Sequence, residues 1–184
     1  VCLAIDRVDN GIGHADPLSL GAFVEELNPL WDEDRSGEDA AFLRAADLVE
    51  GFLRRKARRI HAELKAREAV LGAARRSPDP RLIELPANMP WEHAVHEAEL
   101  PALFVVYPDQ AGRWRLDCVR PSPGAFAQRK PLPRRWAGLR DADLVAATGI
   151  DGALFVHHAR FTAGAATRAA IMEMARQAMD DADA

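Results

Sequence analysis

Two cysteines in 184 residues, Cys2 and Cys118, are too few for a disulfide framework and do not share the spacing of a zinc motif. Both read as reduced thiols, Cys118 as a small core residue in a strand. No apolar run approaches the roughly eighteen residues of a membrane helix, and the N-terminus has neither the basic start nor the apolar core of a signal peptide. The expectation is a cytoplasmic chain with no membrane partner. A surplus of positive charge is also missing: 24 Lys and Arg stand against 28 Asp and Glu, a net −4. That balance excludes the uniformly basic field of a dedicated duplex-binding module but leaves room for a local basic patch. There is no Gly-rich phosphate loop, no nucleophile elbow with Ser-His-Asp partners, no Cys-His pairing, no internal repeat and no low-complexity tract. An initiator Met is absent too. Val1 opens an apolar segment that runs straight into a motif, as in a chain entered partway through.

What is present is a globular composition, 48% hydrophobic and 28% charged, able to bury a real core. Asp9-Asn10-Gly11 is a strong turn signal, and Leu20, Phe23, Val24 and Leu27 then follow helical spacing. From about Glu38 to about Ala74 the series Phe42, Ala46, Val49, Phe52, Leu53, Ile60, Leu64 and Val70 predicts one long helix or two. The Arg54–Arg59 basic run goes all round this helix and reads as a solvated face. Ser77-Pro78-Asp79-Pro80 breaks the pattern, placing a boundary between a helical part, 1–76, and a mixed part, 77–184. Beyond it, RLIEL reads as a strand, PWEHAVHEAE as a helical turn, and ALFVVYP with RWRLDCV as a hairpin. A Pro- and Gly-rich loop follows, then a helix capped by Asp141 and ended by Gly149, a strand GALFVHH, and a C-terminal helix TRAAIMEMARQAM. DDADA reads as a disordered end. The fold class is α+β: a helical N-terminal segment followed by a small mixed β-sheet with helices packed on it.

Three constellations can carry chemistry. Asp6 and Asp9, three apart and followed by an exposing turn, suit a hard divalent cation, though a helix end with a surface turn has the same pattern. His157-His158 closes a strand just before Phe161, Gly164, Thr167 and Arg168 at a helix start. Backbone N–H groups, a hydroxyl and a guanidinium there make an anion site, and a simple helix capped by Thr167 is the alternative. Strand alternation sets the two histidines on opposite faces. The loop with Arg129, Lys130, Arg134, Arg135, Trp136 and Arg140 can track phosphates and stack a base, or can be solvated charge around a buried Trp. His93 and His96 are a weaker metal pair with no third ligand nearby.

These segments carry a resemblance. AIDRVDNGI resembles the Asp-x-x-Asp-Asn-Gly signature of the melanocyte-proliferating-gene exonuclease family, a DHH-type group of metal-dependent phosphoesterases. VVYPDQAGRWRLDCV is similar to its hairpin, and SPGAFAQRKPLPRRWAGLRDADLVAATGI with ALFVHHARF to its long C-terminal block. The match covers nearly all of residues 3–179, loosely over 32–82.

The resemblance implies that 1–76 is the remnant of a DHH catalytic domain and 77–184 a substrate-binding domain like the DHH-associated one. It makes Asp9 a catalytic metal ligand with Asp6 in support, and Mn²⁺ or Mg²⁺ the cofactor of the full-length protein. The family's His-Asn-Gly and Asp-His-His segments are not in this sequence, so the chain alone is expected to bind no metal and to be inactive. Arg129, Lys130, Arg140, His157, Gly164, Thr167 and Arg168 become substrate-binding candidates. The activity implied is that of a 3′–5′ exonuclease, a phosphodiesterase acting on single-stranded RNA or DNA, or on a nucleotide; a homodimer is a further expectation. Ala163-Gly164-Ala165-Ala166 departs from the family's Gly-Gly followed by polar residues, which weakens the phosphate grip, and Arg160 stands where it can return a charge. The alternative is a non-catalytic module that binds nucleic acid or protein.

Overall fold

The computed structural model describes residues 19–182, so Asp6 and Asp9 lie outside the described residues. The chain divides into two compact units between His61 and Ala62.

In the first unit, helix α1 (Leu20–Glu25) is capped by Ser19, whose Oγ accepts from Ala22 N–H at 3.1 Å. A 3₁₀ turn (Arg35–Gly37) leads into α2 (Glu38–Arg76), which starts with Glu38 and Asp39 where the helix dipole favours negative charge. The apolar periodicity is therefore one continuous helix. Of its apolar residues, Ala41 and Ala45 are buried, one turn apart, whereas Phe42, Leu43, Phe52 and Ile60 are exposed. Every residue from Glu50 to Lys65 is exposed, as expected for the basic run within it.

The second unit holds a five-stranded sheet in the order β1 (Leu82–Glu84), β2 (Phe104–Pro108), β3 (Trp114–Cys118), β5 (Thr162–Ala165), β4 (Ala153–Val156). Only β1 and β2 run parallel; the other pairs are antiparallel. Strand alternation separates two cores. Leu82, Phe104, Val106, Leu116, Cys118, Ala163 and Ala165 face one side, where they are packed by Leu144 of α4 (Asp141–Thr148) and by Ile171, Met174 and Ala178 of α5 (Arg168–Asp180). Ile83, Val105 and Tyr107 face the other, where Val70 and Ala73 of α2 and Ala94 and Val95 of α3 (Glu92–Glu97) cover β1 and β2. No helix among the described residues adds to that second core over β3, β5 and β4. Among the described residues, that side of β3, β5 and β4 is therefore lined by the sheet's own side chains and not by a helix.

The predicted helix and strand order holds except at Thr162–Ala165, which the sequence pattern runs into the start of the C-terminal helix and which instead forms β5 between β3 and β4, so Gly164 lies within a strand and not at a helix start. Other differences are local. Arg140, in extended conformation, is the residue before α4, and Asp141 is its first residue, at φ 44°, so Asp141 is not the cap. Strand β4 ends at Val156, and His157–Arg160 form a turn in which Arg160 N–H donates to His157 O at 2.8 Å. Strand alternation therefore does not govern the two histidines, whose ring centroids are 4.2 Å apart. Of the segment expected to be disordered, Asp180 ends α5 and Asp181 pairs its carboxylate with Arg135 and accepts at its carbonyl from Lys130 Nζ at 2.8 Å, while Asp183 and Ala184 lie outside the described residues. Cys118 is buried as read, and burial pushes its thiol well up.

Candidate functional site

The open half-face is organised by strand register. Tyr107, Arg115, Gly164 and Phe155 are partners in succession across β2, β3, β5 and β4, and an isolated bridge joins Arg140 to Phe155. Partners in one cross-strand row project to the same face, about 5 Å from one neighbour to the next. A register shift between Ala153 and Phe155 makes this possible. It lets Ala153 and Val156, of opposite parity, both face the helix-covered core and leaves Leu154 and Phe155 half-buried on the open side.

Gly164 decides what the row can do. A Cβ there would lie 2.4 Å from Phe155 Cε1, so the ring occupies the space above the glycine. Crossing β5 in this way, the ring comes within 4.9 Å of the Arg115 guanidinium, with that of Arg140 at 5.5 Å. Both distances lie within the range in which a guanidinium is drawn to an aromatic face. The surrounding cavity, of about 210 Å³, is also lined by Asp109, Arg113 and Asp141. Asp109 closes the β2–β3 turn by accepting from Ala111 and Arg113 N–H at 2.9 and 3.0 Å, and it lies 3.3 Å from Arg113 Nε and 3.9 Å from Arg115 Nε. Burial raises the pKa of this carboxyl, but those backbone bonds and the two arginines outweigh it and hold it low. At the other end of the row Tyr107 donates to Asp117 at 2.6 Å; burial first, and then that bond, push its phenol upward.

The other candidates are placed elsewhere. Arg129 is half-buried and donates to Leu100 O and Ala102 O at 2.6 and 2.9 Å, pinning the Pro-rich loop to the chain entering β2. Lys130 holds Asp181, and Trp136 is fully buried. Thr167 caps α5, accepting from Ala170 N–H at 3.2 Å. Arg168 donates from Nε and Nη2 to Glu84 at 2.6 Å each, which commits it to β1, at the opposite edge of the sheet from β4. His157 Nδ1 accepts from Ala159 N–H at 3.1 Å, and its ring lies 4.5 Å from that of Phe161. Arg160 donates to Leu132 O at 3.1 Å. The structure thus brings Gly164 and Arg140 together and sets Arg129, Lys130 and Arg168 in other contacts.

Arg113, Arg115 and Phe155 were not singled out from the sequence. The signal for two of them was present: RWRLDC alternates polar and apolar, placing Arg113, Arg115 and Asp117 on one face. The fit to a metal is poor among the described residues, where no three His, Cys, Asp or Glu side chains converge. Among the described residues His93 and His96 gain no third ligand.

The family described as MYG1 exonuclease, Uncharacterised protein family (UPF0160), matches residues 1–179. The chain is 40% identical over 192 residues to the MYG1 exonuclease of Mus musculus and 38% identical over 192 residues to that of Homo sapiens, alignments that cover 94% of the chain and 50% and 51% of those relatives. It is 29% identical over 203 residues to a MYG1 protein of Saccharomyces cerevisiae, covering 96% of the chain and 60% of the relative. The chain therefore spans about half the length of the mammalian relatives it matches. No solved structure matches it.

Proposed function

Since the chain belongs to the MYG1 exonuclease family, we propose that its second unit is the substrate-gripping lobe of a cytoplasmic, metal-dependent exonuclease of DHH type that degrades single-stranded RNA or DNA from the 3′ end. The observation that carries this reading is the open half-face, where Arg115 and Arg140 flank Phe155 on a sheet otherwise sealed by helices. Cationic groups beside a half-buried aromatic suit a phosphate backbone with unpaired bases. Asp9 is the proposed ligand for Mn²⁺ or Mg²⁺, with Asp6 in support. A fixed pair of such ions needs several oxygen or nitrogen ligands each, more than these carboxylates offer, so the remainder belongs to the part of the relatives that this chain does not span. On this reading the chain alone is inactive.

The test compares Mn²⁺-dependent hydrolysis of a labelled RNA oligonucleotide by this chain with that by a protein spanning the relatives' whole length. Activity in the longer protein only, abolished by Asp9→Ala, is the expected result. No activity in either would move the assignment to a non-catalytic binding module.

A further inference from the structure

Resting on that nuclease reading, we infer that Arg115 and Arg140, set against the Phe155 ring, form a clamp for the phosphoryl group of one nucleotide unit, with Gly164 as the position that allows the clamp to assemble.

An aromatic ring holds a guanidinium through its face and takes none of the five N–H donors, so Phe155 positions two arginines while leaving their hydrogen-bonding edges available. The contrast with other basic residues of this unit is direct. Arg168 gives its donors to Glu84, Arg129 to two carbonyls, and Arg135 to Asp181. Among the described residues no hydrogen bond or ion pair engages the Arg140 guanidinium. Among the described residues the carboxylate that pairs with Arg115 is Asp109, 3.9 Å away and already accepting two backbone N–H groups. A phosphate entering between them would gain charge-assisted bonds without first breaking strong ones.

Size and sign limit the ligand. A cavity of about 210 Å³ holds a phosphate with part of its sugar and is smaller than pockets that enclose drug-sized molecules. Asp109 and Asp141 in its wall oppose a second phosphate alongside the first. One nucleotide unit is therefore favoured over a stretch of backbone. Asp141 has a left-handed backbone, φ 44°, directly after Arg140, an uncommon conformation for a residue other than glycine and one that is enriched where side chains must be aimed.

Gly164 is a positioning residue. Its φ permits alanine, so Gly164→Ala acts through the Cβ, which forces the Phe155 ring out and removes the support common to both arginines.

Titration calorimetry of this chain at low salt, with adenosine 5′-monophosphate and with the dinucleotide adenylyl-3′,5′-adenosine, tests the clamp. Arg140→Gln and Gly164→Ala are expected to weaken binding about tenfold or more, the scale of one hydrogen-bonded charge pair, and Arg176→Gln on α5 to leave it unchanged. Phe155→Leu, which keeps an apolar side chain but lacks the ring, should reproduce the loss if Gly164→Ala fails to fold. Preference for the monophosphate assigns the clamp to a chain end, and preference for the dinucleotide to an internal diester. If the unaltered protein binds neither, or the folded variants bind as it does, the clamp is wrong. The two proposals fail separately. Nucleotide binding that depends on Arg140 in a family member without nuclease activity would keep the clamp and remove the nuclease reading. Undiminished hydrolysis by the longer Arg140→Gln protein would do the reverse.

Discussion

At the scale of residues, Gly164 and Phe155 are one unit. A methyl group at 164 would meet the ring at 2.4 Å, a separation that real contacts do not show, so either the ring or the strand must move. Overpacking of this kind typically costs about 1–3 kcal/mol. Gly164→Ala is therefore expected to lower stability by about that amount in the natural background and to have almost no effect in a Phe155→Ala background, where nothing remains to clash. Chemical denaturation of the four proteins gives the coupling directly. Equal costs in both backgrounds would show that the strand, not the ring, is what the methyl displaces.

At the scale of elements, α2 is one helix with two kinds of apolar residue. Val70 is fully buried against Ile83 and Val105, whereas Phe52, read from the same periodicity, is 46% exposed. Val70→Ala should lower the unfolding free energy by about 2 kcal/mol, through lost contacts and a residual cavity. Phe52→Ala should change it by no more than about 0.5 kcal/mol, the usual range for surface positions. The shift in urea midpoint at constant slope measures both. Periodicity identified the helix correctly because 3.6-residue spacing is a local property. It could not say which part of the apolar stripe meets a partner, because that depends on where β1, β2 and α3 return in space. The same reason explains the Asp141 and His157-His158 differences: a cap and a strand end are set by the next contact, Arg140 with Phe155 and Arg160 with Leu132, both distant in sequence.

At the scale of the whole molecule, the net charge of −4 and the pairing of several basic side chains with carboxylates bear on how nucleic acid can bind. Arg67, Arg81, Arg168 and Arg176 all face carboxylates at 2.6–2.8 Å. A single clamped phosphate on a single strand predicts a slope of log K against log salt of about −0.7, since each neutralised phosphate releases its counterions. Fluorescence anisotropy of a short labelled oligonucleotide across a salt series checks this. A slope steeper than about −3 would mean that the basic loop, rather than the clamp, carries the contact.

By itself the sequence determined the family, the α+β class, the hairpin, the buried Cys118 and the helix end at Gly149, and it offered the cap at Thr167 as one of two readings, because motif wording, alternation and capping chemistry are encoded within a few residues of one another. It also named Arg140 and Gly164 as candidates, but by adjacency to motifs rather than by any contact between them. Only the tertiary structure decided that these two meet across Phe155, that Arg115 joins them from β3, and that Arg168 is committed to Glu84. Each of those facts rests on strand register, and register is set by non-local hydrogen bonding and by which face the helices cover.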